Sequence, residues 1–186
     1  MATLVYSLLT SLDGYIEDAD GRFDFAHPDP EMHAAANDEA RAASAFLFGR
    51  RLFEVMEEPW TAAAADPGGL PEVEAEFARL YVDRPRYLFS DSLESAPDGV
   101  ELVRSADAAA TVERLKRDLP GELALGGAGL AASLIDLIDE FRLLVVPVAV
   151  GGGKPFFPVG ARLQLRLLDH RTFGNGGLSL RYQRAG

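Results

Sequence analysis

From residue 86 onward, short apolar runs alternate with amphipathic stretches, until two final strands arrive with no helix between them. That order admits few folds. Residues 86–90 and 122–125 are apolar and strand-like, with a weaker run at 99–103. A helix fits 108–118 and stops before Pro120, and another starts near Leu130, with Leu134 and Leu137 on its face. Residues 141–150 form the longest apolar run, in which Pro147 lacks a donor and implies a bulge or an interrupted ladder. The first half repeats the theme: a strand at 3–11, an acidic loop to Asp29, a helix at 30–43, a strand at 45–48 and a helix at 50–56. A loop at 59–71 and a helix at 72–81 complete it. Residues 163–168 and 178–182 then read as an antiparallel pair at the sheet's edge. Together these describe an α/β fold, mostly parallel with an antiparallel C-terminal hairpin.

The 186 residues suit a single domain spanning 1–186. There is no cysteine, which removes disulfides, thiolate metal ligands and a cysteine nucleophile. Twenty-nine acids against 18 bases give a net charge of −11, the wrong field for nucleic acid or an anionic membrane. No apolar run approaches a membrane span, and the N-terminus lacks the basic region of a signal peptide. These features lead us to expect a cytoplasmic protein.

Two strand–glycine–helix junctions carry the chemistry. In Leu125-Gly126-Gly127-Ala128-Gly129-Leu130 the glycines permit positive φ and close backbone approach, and the N–H groups opening the next helix attract a phosphate. The same glycines could instead only close a tight turn. Gly127, Gly129 and Ala132 match a dinucleotide spacing, but the acid that a Rossmann domain needs ~20 residues on is missing. The second junction, Phe48-Gly49-Arg50-Arg51, puts two guanidiniums at a helix start, where they oppose the dipole unless an anion is present. Solvated pairing with Glu54, Glu57 or Glu58 is the alternative.

Other motifs are weaker. Gly151-Gly152-Gly153-Lys154-Pro155 lacks the hydroxyl residue and the first glycine of a P-loop, although Lys154 could still meet a phosphate. Residues 13–39 hold nine acids and only Arg22 as a base, and Asp24, Asp29 and Glu31 are candidates for a proton donor. His27, His33 and His170 lack metal-ligand spacing, so no metal is expected. No G-x-S-x-G element is present.

In order, Ser11-Leu12-Asp13-Gly14-Tyr15-Ile16, Leu47-Phe48-Gly49-Arg50-Arg51, Tyr87-Leu88-Phe89-Ser90, the Gly126–Leu130 turn and Pro147 to Lys154 resemble one family. Arg171-Thr172-Phe173 and Arg181-Tyr182 complete the likeness, which runs from about Leu4 to Tyr182. The chain resembles the dihydrofolate-reductase-like proteins that include the C-terminal reductase domain of the bifunctional riboflavin deaminase–reductase. The resemblance implies a three-layer sandwich with NADPH across the carboxyl ends of the sheet. It places Gly49, Arg50, Arg51 and Ser90 on the adenosine side, and Gly126, Gly127, Ala128, Gly129 and Leu130 at the pyrophosphate. An acid on the first helix, Asp29 or Glu31, would serve the substrate. Two positions depart from the pattern: Leu52 replaces a threonine, and Asp91 replaces a base near the 2′-phosphate, which brings NADH into consideration. The expected activity is hydride transfer to a pteridine, pyrimidine or similar heterocycle, of which 5-amino-6-(5-phosphoribosylamino)uracil is one. The alternative is a non-catalytic homodimeric nucleotide-binding or scaffold protein of the same fold. The apolar C-terminal strands form an unprotected edge, which implies a homodimer through them.

Overall fold

A computed structural model describes residues 1–185. Its centre is an eight-stranded sheet, assembled from β1 (Thr3–Thr10), β3 (Ala43–Gly49), β4 (Arg86–Phe89), β5 (Val100–Val103), β6 (Glu122–Gly126), β7 (Glu140–Val145), β9 (Leu165–Thr172) and β10 (Leu178–Arg184). The order is β5-β4-β3-β6-β1-β7-β10-β9. The strands from β5 to β7 are parallel, and β10 runs antiparallel to both β7 and β9. A second, two-stranded sheet joins β2 (Tyr15–Glu17) to β8 (Lys154–Pro155).

Alternation along the central strands decides which layer each side chain enters. Phe46 and Phe48 of β3 pack with Phe53 of α2 (Arg50–Ala65) and Tyr81 of α3 (Glu72–Asp83). On that same face, Met32 of α1 (Pro30–Ala42) lies with Leu144, Val146 and Phe173. Ala45 and Leu47 point the other way, with Leu4, Tyr6, Leu123, Leu125 and Phe141. Val112 and Leu115 of α4 (Ala108–Asp118) cover them, together with Ala131 of α5 (Ala128–Ser133). The result is the expected three-layer sandwich with its antiparallel C-terminal pair.

Several boundaries differ from the sequence reading. The expected strand at 141–150 stops at Val145, because Pro147 ends the ladder and the chain turns toward β8. The helix expected to end at Met56 runs through Pro59 to Ala65, where Trp60 packs on Phe77 with ring centroids 4.6 Å apart and an alanine run follows. The helix near Leu130 is short: α5 ends at Ser133, and Leu137 lies in a separate 3₁₀ turn. The strand placed at 163–168 begins at Leu165 and continues to Thr172. Inside the acidic loop, β2 was not anticipated.

Candidate functional site

The two glycine junctions meet at the carboxyl end of the sheet. β3 and β6 are parallel neighbours with Phe48 opposite Gly126, so Gly49 and Gly127 leave the sheet side by side. Gly127 has φ +102°, and a Cβ on it would lie 3.4 Å from the Gly49 nitrogen. A Cβ on Gly126 would fall 2.5 Å from Leu52 Cδ2 and 3.2 Å from Phe48 Cδ1. Leu52 therefore fills the space beside this turn with hydrocarbon. Gly129, by contrast, faces open space. β1 pairs with β6 only as far as Tyr6 but with β7 as far as Thr10, so its last residues run on past the pairing with β6. Thr10 ends β1 with a buried hydroxyl that has no hydrogen-bond partner among the described residues.

Cations and hydroxyls line the other side. The first turn of α2 contains no acid and no side-chain cap, so no side chain of its own offsets its opening N–H groups and dipole. Arg50 Nε donates to Glu54 at 2.7 Å and its Nη1 to Ser92 Oγ at 2.8 Å. Ser92 Oγ lies 3.3 Å from Ser90 Oγ, which also accepts from the Ser92 and Leu93 amides. Arg50 and Ser90 are thus linked through Ser92, a residue the sequence reading did not single out. Asp91 is exposed, and its carboxylate accepts from the Ser105 amide at 2.8 Å. The Ser105 hydroxyl and amide, with Arg104 nearby, hold it below the usual carboxylate range, so it is an anion at neutral pH.

Arg51 is engaged differently. Its Nη2 donates to the Gly21 carbonyl at 2.8 Å, and its Nη1 lies 3.3 Å from Glu17 at the end of β2. β2 owes its place to the Ser11–Gly14 motif: Ser11 Oγ accepts from the Tyr15 amide, and Asp13 accepts from the amides of Val150 and Gly151 at 3.1 and 2.8 Å. Gly153 completes the docking, because a Cβ there would lie 1.9 Å from the Glu17 carbonyl. The triple glycine therefore lets β8 approach β2, and Lys154 Nζ stands 3.9 Å from Glu17.

Asp29 and Glu31 lie outside this cluster. Asp29 caps α1 by accepting from the Met32 amide at 2.8 Å. Glu31 accepts from the Gly174 amide at 2.9 Å and from Arg171 at 2.7 Å, tying α1 to the C-terminal hairpin. Those two bonds, the amide's first, lower its pKa and keep it ionised. Gly49, Arg50, Arg51, Ser90 and Gly126 through Leu130 are brought together; the two carboxylates are given a cap and a strut.

The RibD C-terminal domain family matches residues 2–179. The chain belongs to that family. Among curated relatives it is 30% identical to the uncharacterized protein YyaP of Bacillus subtilis (strain 168), over 96% of this chain and 93% of YyaP. Its fold resembles the Thermotoga maritima diaminohydroxyphosphoribosylaminopyrimidine deaminase/5-amino-6-(5-phosphoribosylamino)uracil reductase, with TM-score 0.70 and 16% identity over 99% of this chain and 57% of that one. It also resembles Enterococcus faecalis dihydrofolate reductase complexed with NADP(H), with TM-score 0.65 and 13% identity over 99% of this chain and 97% of that one. The sandwich is dihydrofolate-reductase-like.

Proposed function

We propose that this RibD-like domain is a nicotinamide-dependent reductase whose cofactor lies across the two glycine junctions. One observation carries the reading: Gly49 and Gly127 abut at the carboxyl end of the sheet, beside Arg50, Arg51 and an α2 N-terminus free of acids. This donor set fits a pyrophosphate, through outward N–H groups, two guanidiniums and glycines that admit close approach. The dihydrofolate reductase of similar fold was captured with NADP(H), which supports the same choice of cofactor. Gly126, Gly127, Ala128, Gly129 and Leu130 would hold the pyrophosphate, and Gly49, Arg50 and Ser90, with Ser92, the adenosine side. When bound, the nicotinamide supplies hydride to a C=N or C=O bond of the substrate.

The chain's own residues shape what reacts. Asp91, fixed as an anion beside the Ser90–Ser92 turn, opposes a 2′-phosphate and shifts preference from NADPH toward NADH. The acidic segment before α1 disfavours a substrate carrying its own phosphate. A neutral or cationic pteridine- or pyrimidine-like heterocycle fits that field better than 5-amino-6-(5-phosphoribosylamino)uracil does. Asp29 and Glu31 are engaged elsewhere, so the proton accompanying hydride comes most simply from water or the substrate.

Leu52 and Asp91 favour a second reading, a binding protein of this fold without turnover. Calorimetric titration with NADPH and NADH tests the first step, since Trp60 lies ten residues beyond Arg50, about 15 Å along the helix, and makes a poor reporter. Micromolar binding (about −8 kcal/mol) with oxidation of the nucleotide by a heterocycle supports the reductase. Binding without oxidation across a heterocycle panel favours the second reading, and no binding defeats both. Asp91→Ser should raise the NADPH-to-NADH preference several-fold.

We also propose a homodimer through β9 and β10. β9 is an edge strand exposed along nearly its whole length, with Leu167 and Leu168 open, and β10 is half-buried throughout. Such an edge needs cover. A monomer in light scattering would refute this. Among the described residues no helix is long and apolar enough to cross a membrane, and a cytoplasmic place suits a cofactor of central metabolism.

A further inference from the structure

We propose that Glu17 is a built-in competitor for the anion seat at the start of α2: in the free protein its carboxylate stands in for a ligand phosphate at Arg51. This rests on the cofactor reading above and adds how that seat is controlled.

The first turn of α2 has a positive dipole end, two arginines and no acid of its own. Two carboxylates answer that charge from outside the turn. Glu54 takes Arg50 from one helical turn on. Glu17 takes Arg51 from a different part of the fold, at 3.3 Å, and its side chain is only 13% exposed. It arrives there because β2 is pinned against β8, where Gly153 leaves no room for a Cβ beside the Glu17 backbone. Lys154, 3.9 Å from Glu17 on its other side, offers the carboxylate a second cation. Glu17 therefore keeps a partner when Arg51 is taken by something else.

The segment after Glu17 is bonded to itself and shares the same anchor on α2. Asp18 accepts from the amides of Asp20 and Arg22 and from Arg22 Nε, and Gly21 turns the chain at φ +76°. This self-bonded turn is fastened to α2 through the Gly21 carbonyl, which accepts from Arg51 Nη2 at 2.8 Å. A single guanidinium thus holds both the Glu17 charge and the 18–22 turn. A pyrophosphate brings more charge than one carboxylate and is fork-compatible with Arg51. It displaces Glu17 onto Lys154 and loosens the turn from α2. Affinity for a phosphate-bearing ligand is held down by the energy of the Glu17–Arg51 pair, and occupancy of the cofactor seat is coupled to the acidic segment beside it.

The test is calorimetric titration of wild type, Glu17→Gln, Arg51→Gln and the double variant with inorganic pyrophosphate and with NADPH, with melting curves to confirm folding. Glu17→Asp, which keeps the charge on a shorter stem, is the second variant should Glu17→Gln fail to fold. The competitor predicts that Glu17→Gln tightens both ligands by roughly twofold to fivefold, the scale of an ion pair with one exposed partner, with Glu17→Asp in between. It also predicts that the gain vanishes in the Arg51→Gln background. Equal affinity of wild type and Glu17→Gln overturns it, and so does a gain that survives Arg51→Gln, which would be the general effect of one less negative charge. Tighter pyrophosphate binding by Glu17→Gln with no NADPH binding by any variant upholds the competitor and defeats the dinucleotide reading. Failure of every variant to bind either ligand defeats both.

Discussion

The two ends of the central strands use the same residue types to opposite purpose. At the amino end, Arg142 of β7 is closed off by carboxylates: it makes two bonds to Glu122, at 2.7 and 2.9 Å, and one to Glu140 at 2.6 Å. Arg181 of β10 adds another bond to Glu140 at 2.8 Å. The Arg142 side chain is 5% exposed, and its guanidinium makes bidentate contact with one of these partners. At the carboxyl end, Arg50 and Arg51 are more than half exposed, and each has one carboxylate partner and donors to spare. A saturated, buried guanidinium fastens strands together. An unsaturated one at a helix start is a place for an anion. The contrast separates saturated, structural arginines from arginines that keep donors free for a ligand.

Breaking the amino end should have the largest effect. Arg142→Met leaves Glu122 without its cation and Glu140 with Arg181 alone, and should cost about 3–5 kcal/mol in chemical denaturation. Nucleotide affinity of the folded fraction should be nearly unchanged. Gly127→Ala attacks the carboxyl end through the backbone. At φ +102° it should lose about 1–3 kcal/mol and weaken nucleotide binding by tenfold or more. Arg50→Gln inverts the Arg142 result: binding should fall about tenfold while stability moves by roughly 0.5 kcal/mol or less. If Arg142→Met and Arg50→Gln behaved alike, the distinction between the two ends would collapse.

A smaller, pH-dependent effect sharpens the comparison. Burial pushes Glu140 up, but hydrogen bonds from Arg181 and Arg142 outweigh it and hold its pKa below the ordinary value. Its stabilisation is therefore complete above the unfolded carboxylate pKa and is lost as pH falls through the lowered folded value. Glu140→Gln should flatten that acid limb. Glu39, on α1 above the same cluster, has the opposite sign: burial raises its pKa, with Glu122 adding to the effect and Ser7, Arg142 and Arg181 only partly opposing it. Its ionisation costs stability as pH rises from the unfolded pKa through the raised folded one. Glu39→Gln should raise the melting temperature at neutral pH and leave it nearly unchanged at pH 4.

Much of this was legible from local pattern. The alternation of apolar runs with helices gave the layers, and the helix-free final pair gave the antiparallel edge, because periodicity is written within each element. The Gly126–Leu130 turn and the Gly49-Arg50-Arg51 start were legible for the same reason: a strand, a glycine and a helix start are consecutive. What stayed hidden depends on contacts between distant segments. β2 is three residues long, and its place depends on Asp13 meeting Gly151 and on Gly153 meeting Glu17. Glu31 looked like a free acid because its partners, Arg171 and Gly174, are 140 and 143 residues away. Ser92 shows its role only once Arg50 reaches it across the exit of β4.

Backbone amide chemical-shift mapping with NADPH and NADH decides whether a dinucleotide spans the abutting glycine junctions. A dinucleotide bound there shifts Gly49 to Leu52, Ser90 to Leu93 and Gly126 to Leu130 and leaves the surroundings of Arg142 silent. Saturable binding whose shifts fall elsewhere, or no shifts at millimolar nucleotide, would contradict it.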